Sequence, residues 1–309
     1  MNIKVWVTGS RGAVGSILVK ALEKHNFAVT RISNSAVNEE GVLHVDYGSK
    51  ESINSAIRLS GGIPDVIFHL GWGNVYEPQS EVHLGRNLLD TKNLIAELYR
   101  NGLKKFIMIG SSSEYGSRSG CLLETELPVG WITNYARGKI EACRYGIEVA
   151  NKHSSIFVHV RLFHVLGVSQ RKNSLINQLY RNYCDSTVLN LTSCEQFRDY
   201  IYVDDAINGL VKISEINSSE IINLGSGSQI QLKKFIKIFW ETLGGSSDFL
   251  IFGAHKRPDD EPTQPPCYAS LDKLRTLTNW QPSISIEEGI FRIANKFKGA
   301  CELEECVDA

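Results

Sequence analysis

A chain of 309 residues with formal net charge −1, 22% charged and 42% hydrophobic side chains can bury a large core, and its balanced charge gives no general attraction to nucleic acid or anionic lipid. Its 26 glycines, 8 prolines and 9% aromatics do not describe a disordered or fibrous protein. No apolar run approaches the roughly 20 residues of a membrane span, and Met1-Asn2-Ile3-Lys4-Val5-Trp6-Val7 shows neither a basic leader nor a cleavage site, so a cytoplasmic protein is expected, with no nucleic-acid or membrane partner.

Taken in chain order, 3–7 is a compact apolar strand. A helix over 16–25 follows, with Ile17, Leu18, Ala21 and Leu22 on one side. Further strands are expected at 28–32, 42–45, 65–70, 105–109 and 156–162, and helices at 87–101 and 135–152. This alternation predicts an α/β fold, a Rossmann-like doubly wound parallel sheet that binds ligands beyond the carboxyl ends of its strands. After Gly167 the pattern changes. A polar helix is expected over 169–184, irregular chain over 185–199, an amphipathic helix over 206–216 and a strand with its turn over 221–227. The 244–266 stretch reads as loop, with four of the eight prolines, and the last nine residues, four of them acidic, are expected to fray. Residues 1–167 then form this Rossmann-like domain, with 201–228 returning to it; 168–200 and 229–309 form a smaller C-terminal lobe. The seven cysteines at 121, 143, 184, 194, 267, 301 and 306 have no paired spacing, so free thiols are expected and no metal site.

Between the first strand and first helix stands Val7-Thr8-Gly9-Ser10-Arg11-Gly12-Ala13-Val14-Gly15. Gly9 suits a tight turn, Gly12 a close backbone approach to a pyrophosphate, and Gly15 close packing of helix on strand, with the helix N-terminus facing the phosphates. The second strand ends Val29-Thr30-Arg31-Ile32-Ser33-Asn34, without the acid that would bind a ribose 2′-hydroxyl. Arg31 and Ser33 suit a 2′-phosphate, which favours NADP(H), with NAD(H) the alternative.

Tyr135-Ala136-Arg137-Gly138-Lys139 puts a phenol and an ammonium on one helix face, an arrangement that tunes the phenol for proton transfer. The 105–109 strand runs into Gly110-Ser111-Ser112-Ser113-Glu114-Tyr115-Gly116, where a serine hydroxyl can share a substrate oxygen with the tyrosine.

These motifs together resemble the extended short-chain dehydrogenase/reductase (NAD-dependent epimerase/dehydratase) superfamily. So do Asp65-Val66-Ile67-Phe68-His69-Leu70-Gly71, Asn87-Leu88-Leu89, Arg161-Leu162-Phe163-His164-Val165-Leu166-Gly167, Arg198-Asp199-Tyr200-Ile201-Tyr202-Val203-Asp204-Asp205 and Asn279-Trp280-Gln281-Pro282. The resemblance implies that Tyr135 is the acid/base, that Lys139 activates it and holds the nicotinamide ribose, and that Ser111, four positions before Tyr115, is the third catalytic residue, with Ser112 competing. It also implies adenine contacts at Asp46 and Tyr47, cofactor contacts at Leu70, Gly71 and Asn87, and substrate contacts at Ser112, Ser113 and His164. Arg198 and Arg257 match positions that grip a nucleotide diphosphate. His164 departs from the superfamily's usual asparagine. A homodimer through the Asn87 and Tyr135 helices is implied too.

Sugar 4,6-dehydratases of this superfamily carry Thr-Asp-Glu or a close relative where this chain has Ser111-Ser112-Ser113, with Glu114 one position late, which argues against dehydration. Thr30-Arg31, Arg161-Leu162-Phe163-His164-Val165 and Phe252-Gly253-Ala254 resemble nucleotide-sugar 4-ketoreductases of the CDP-abequose synthase type. The expected reaction is NADPH-dependent reduction of a 4-keto-6-deoxy nucleotide sugar. A nucleotide-sugar epimerase with retained NAD is the alternative, and a non-catalytic dinucleotide sensor a third reading that the presence of both Tyr135 and Lys139 disfavours.

Overall fold

A computed structural model describes residues 2–35, 39–167, 174–256 and 265–305, with 299–305 described by backbone alone. Its first strands are Lys4–Thr8 (β1), Ala28–Ser33 (β2), Val42–His44 (β3), Val66–His69 (β4) and Lys105–Ile109 (β5). With Ile156–Leu162 and Glu220–Leu224 they form a seven-stranded sheet, in the order Glu220–Leu224, Ile156–Leu162, β5, β4, β1, β2, β3. Every pair in it is parallel. The sheet is Rossmann-like: the chain winds outward from β1 in both directions, which leaves a crevice at its carboxyl edge.

Alternation along β1 shows how the two faces are built. Val5 and Val7 join Leu18 and Leu22 of helix α1 (Gly15–Lys24) and Leu210 of the Val203–Ile213 helix in one core. Trp6 joins the other core, with Ile53 of α2 (Lys50–Leu59), Leu94 and Leu98 of α3 (Arg86–Arg100) and Ala142 of α4 (Asn134–Lys152).

Most strand and helix positions agree with the sequence-based expectation to within a few residues. Helix α2 was not expected. Ile53 and Ala56 are buried on one side, with Ile57 packed beside them, but the segment is polar overall, rich in Ser, Asn and charged residues. The helix expected over 206–216 begins at Val203, with Asp204 and Asp205 in its first turn. The 185–199 stretch is less irregular than expected, since Leu189–Leu191 pairs with Leu250–Phe252 and Phe197–Arg198 with Ile230–Gln231. That partner at 250–252 also puts a strand inside the expected 244–266 loop. The C-terminal helix runs Ile286–Glu305 and takes in the first five of the nine residues expected to fray; 306–309 lie outside the described residues.

Asp199 fastens the segments around the substrate side. Its buried carboxylate accepts from Ser226 N (2.8 Å), Ser226 Oγ (2.7 Å), Gly227 N (3.2 Å) and Ala269 N (3.0 Å), pinning two loops beside Arg198. Among the described residues no helix is long and apolar enough to cross a membrane, and no group of three or more His, Cys, Asp or Glu side chains could hold a metal ion.

Candidate active site

A cleft of about 760 Å³ opens at the carboxyl ends of β1, β2 and β4. Gly9, Ser10 and Arg11 of the glycine loop line it, with Ser33, Asp46, Tyr47, Gly71 and Asn87. The loop is built for close approach. Gly9 has φ +63°, and a Cβ on it would lie 2.8 Å from Gly71 N; a Cβ on Gly15 would lie 2.2 Å from the Gly9 carbonyl oxygen. Gly12 N–H donates to that same oxygen at 2.9 Å, closing the turn. Ala13 and Val14 lead into α1, and no side chain caps the helix, so its first amides are left for an anion. Next to Leu70, the Gly71 amide donates to Thr8 Oγ1 (3.1 Å), which in turn meets His69 Nδ1 at 2.8 Å. His69 is buried, and burial together with the Lys139 charge lowers its pKa to about 3, so it stays a neutral crosslink. This cradle fits a dinucleotide: a long trough lined by the glycine loop, a glycine turn no side chain could occupy and an uncapped helix end.

Arg31 does not line that cleft. Its guanidinium turns away, donating from Nε to Gly41 O (3.2 Å) and from Nη2 to Glu40 O (3.1 Å), and lies 3.7 Å from Glu39. Two carbonyls and a carboxylate of the 39–41 segment outcompete solvent for it. The cations that do line the cleft are Arg11, whose Nε meets Glu39 Oε2 at 2.8 Å, and Arg86, whose Nε meets Asp90 Oδ2 at 3.4 Å.

Thr133 caps α4 by accepting from Ala136 N (3.0 Å), and the 73–83 segment leans on that helix start through Tyr135 N–H to Pro78 O (2.9 Å). Tyr135 and Lys139 fall on one face, as expected. Lys139 is buried; its ammonium donates to Ile109 O (2.7 Å) and lies 4.1 Å from the Trp72 ring centroid and 5.8 Å from that of Tyr135. Burial lowers its pKa to about 7, against the pull of the Glu114 carboxylate. Burial raises the Tyr135 phenol to about 12, aided by the Glu114 charge and opposed by a hydrogen-bonding contact with Ser111. Trp72 and His83 wall the phenol, with ring centroids 6.4 and 5.3 Å from it. Trp72 Nε1 donates to His83 Nδ1 at 3.0 Å. Gly138 is required here, since a Cβ on it would lie 2.6 Å from His83 O.

Ser111 begins the Ser112–Tyr115 3₁₀ turn, where its Oγ accepts from Ser113 N (3.2 Å) and Ser113 Oγ (2.9 Å). A second pocket, of about 70 Å³, joins Ser111, Ser112 and Ser113 to His164, Arg198 and Cys267. Desolvation at the pocket wall and the neighbouring Arg198 charge hold the His164 pKa below its usual value, although the residue is exposed at the protein surface. Arg198 Nη1 donates to Phe197 O at 2.8 Å. Arg257 lies outside the described residues. Three participants escaped the sequence reading: Trp72, His83 and Cys267. Only Trp72, directly after the Gly71 strand end, carried a positional signal.

The family model described as "NAD dependent epimerase/dehydratase family" matches residues 5–225, most of the chain. The chain belongs to that family. It is accordingly an NAD(P)-dependent oxidoreductase. Over 298 residues it is 24% identical to the CDP-abequose synthase of Salmonella muenchen, covering 94% of this chain and 96% of that one. Over 227 residues it is 29% identical to the UDP-glucuronate 4-epimerase of Thermodesulfobacterium geofontis, covering 72% and 68%. Its fold is similar to the crystal structure of UDP-glucose 4-epimerase from Thermotoga maritima, with a TM-score of 0.84 at 20% identity over 96% of this chain and 99% of that one.

Proposed function

We propose that this enzyme is a nucleotide-sugar 4-ketoreductase, which uses NADPH to reduce the C4 ketone of a 4-keto-6-deoxy sugar. The observation that carries the reading is the acid/base inventory of the substrate side. Tyr135, with its pKa near 12, is a protonated donor at neutral pH. Around the pocket beside it, Asp199 is saturated by four donors, His164 is neutral, and Glu114 is buried under the serine turn. Elimination of water needs a second acid/base pair on the substrate; ketone reduction needs one proton donor.

The bound nicotinamide supplies the hydride. Tyr135 gives its hydroxyl proton to the ketone oxygen, and Ser111 Oγ donates a hydrogen bond to that oxygen. Lys139, its pKa lowered by burial to about 7, is partly charged beside the phenol at neutral pH and is the candidate for holding the nicotinamide ribose. Arg198, with Arg257, is the candidate for the diphosphate, as fixed guanidinium forks suit it. Ser112, Ser113 and His164 offer neutral hydrogen-bonding groups to the sugar. Gly9 to Gly15, Asp46, Tyr47, Leu70, Gly71 and Asn87 hold the dinucleotide, and Arg11 with Ser33 faces its adenosine ribose, which supports NADPH. The full-length similarity to a CDP-abequose synthase supports the same reading.

The test is NADPH oxidation at 340 nm with CDP-, UDP- and GDP-linked 4-keto-6-deoxyhexoses, alongside mass analysis of nucleotide released from the denatured enzyme. Turnover with an initially empty, NADPH-filling site is expected. Stoichiometric bound NAD with no net NADPH oxidation would establish the second reading, a nucleotide-sugar epimerase, which the 29% identity to a UDP-glucuronate 4-epimerase favours.

A further inference from the structure

Glu114 is 1% exposed, yet it lies directly beneath the serine turn. Its Oε1 accepts the Ser111 N–H at 2.8 Å, closing a capping box whose other half is the Ser111 hydroxyl. The same carboxylate meets His159 Nε2 at 3.0 and 2.8 Å and Arg161 Nε at 3.3 Å. The neighbouring backbone leaves no slack: a Cβ on Gly110 would lie 2.4 Å from both Glu114 Oε1 and His159 Nε2. Arg161 is itself fixed, donating to Glu124 O (3.2 Å) and lying 4.3 Å from the Tyr115 ring centroid. Tyr115 in turn donates to Asn223 at 2.7 Å. A buried carboxylate this constrained is costly, and one held by two cations and the Ser111 amide has a fixed place and a fixed charge.

We propose that Glu114 is a positioning residue of the reaction: its carboxylate fixes Ser111 for the substrate oxygen and lays a buried negative charge beneath Tyr135, trimmed by His159 and Arg161. This inference rests on the reading of Tyr135 as proton donor. The groups facing Tyr135 are Lys139 on its own helix, Ser111 and Glu114 on the turn, and Trp72 and His83 across the cleft. Those facing Glu114 are His159, Arg161, Tyr135 and the Lys139 ammonium, with Cys143 of α4 behind His159. Negative charge near the phenol opposes its ionisation, so the charge of Glu114 sets the pH at which Tyr135 stops being a donor.

Two substitutions should move that pH in opposite directions. Glu114→Gln keeps an acceptor for Ser111 N–H but removes the charge. The alkaline limb of the kcat profile for NADPH-dependent ketosugar reduction should move down by about half a pH unit, an approximately threefold loss of rate at a fixed pH on that limb. Arg161→Gln keeps a side-chain N–H beside Glu114 but removes a charge that persists through the Tyr135 limb, and the limb should move up. In both variants KM and the NADPH Kd should stay within about twofold of wild type, because neither residue lines the cofactor cleft. Limbs that superimpose on wild type, or move the same way in both variants, would overturn the proposal. If Glu114→Gln does not fold, the direction of the Arg161→Gln shift decides alone. Tyr135→Phe, measured alongside, separates the two claims. If it retains turnover, the assignment of Tyr135 is wrong; if it is inactive while the limbs stay fixed, only the role of Glu114 is wrong.

Discussion

Arg11 and Arg31 make opposite predictions about cofactor choice, and the structure says which should matter. Arg11 faces the cleft at the end of β2, whereas Arg31 is tied to Gly41 O, Glu40 O and Glu39. A charge-assisted hydrogen bond to a phosphate is worth about 1.5–3 kcal/mol. The Arg11 side chain is 45% exposed and already holds Glu39 at 2.8 Å, so solvent screening and exchange of partners place the net gain at the lower end, about 1.5 kcal/mol. That corresponds to roughly a tenfold difference in Kd. Arg11→Ala should therefore weaken NADPH about tenfold and leave NADH within about twofold, because NADH has no 2′-phosphate to lose. Arg31→Ala should leave the NADPH/NADH ratio unchanged, since its guanidinium serves the 39–41 segment. Glu39→Gln should act the other way from Arg11→Ala and tighten NADPH, by freeing Arg11 and removing a negative charge near the phosphate. Fluorescence titration of each variant with both nucleotides measures all of this. Equal weakening of NADPH and NADH in Arg11→Ala, or a changed ratio in Arg31→Ala, would refute the reasoning.

Tyr135→Phe should lower kcat by at least about 100-fold while leaving NADPH affinity within about twofold, as stopped-flow turnover and titration would show; parallel loss of both would mean a structural role. Gly15→Ala pushes a methyl group to 2.2 Å from the Gly9 carbonyl oxygen, so the loop and α1 must separate. A loss of about 1–3 kcal/mol in urea unfolding is expected, with NADPH and NADH weakened alike; an unchanged midpoint would show that the loop can yield freely. Burial disfavours charge on His159, but the Cys143 thiol and Glu114 carboxylate beside it push its pKa up to about 10 from 6.5. A raised folded-state value stabilises fully below about pH 6.5, and that stability is lost as pH climbs through about 10. His159→Gln should therefore cost about 1–3 kcal/mol at pH 6 and markedly less near pH 10, measured by urea unfolding at both values; an equal cost at both would mean that His159 is uncharged in the folded protein.

How much of this was legible in the sequence depended on how local each signal was. The glycine spacing in Gly9-Ser10-Arg11-Gly12-Ala13-Val14-Gly15 and the four-residue step from Tyr135 to Lys139 are statements about one turn and one helix face, and local stereochemistry turns them directly into geometry. The parallel sheet was equally readable, because fully buried strands such as Lys105–Ile109 are continuous apolar runs. Helix α2 was passed over although Ile53, Ala56 and Ile57 share one side of it, because that apolar face is short and the segment as a whole is polar, with a Ser49 cap.

The direction of a long side chain was beyond sequence. Arg31 sits where a 2′-phosphate ligand is expected, but carbonyl oxygens ten residues on compete for its guanidinium, and only the folded 39–41 segment brings them near. Glu114 looked like a dehydratase acid displaced by one position. In the structure it is the partner of His159 and Arg161, 45 and 47 residues away on the neighbouring strand. The Lys139 ammonium lies over Trp72, and Trp72 bonds to His83, through contacts that join three separate segments. The sequence by itself therefore determined which backbone shapes form and which chemical groups they carry, since both follow from neighbours within a turn or a strand. Which charges meet, and so the ionisation of Tyr135, Lys139 and His159, was decided only by tertiary structure, because electrostatic and hydrogen-bond energies depend on distance and burial, not on position along the chain.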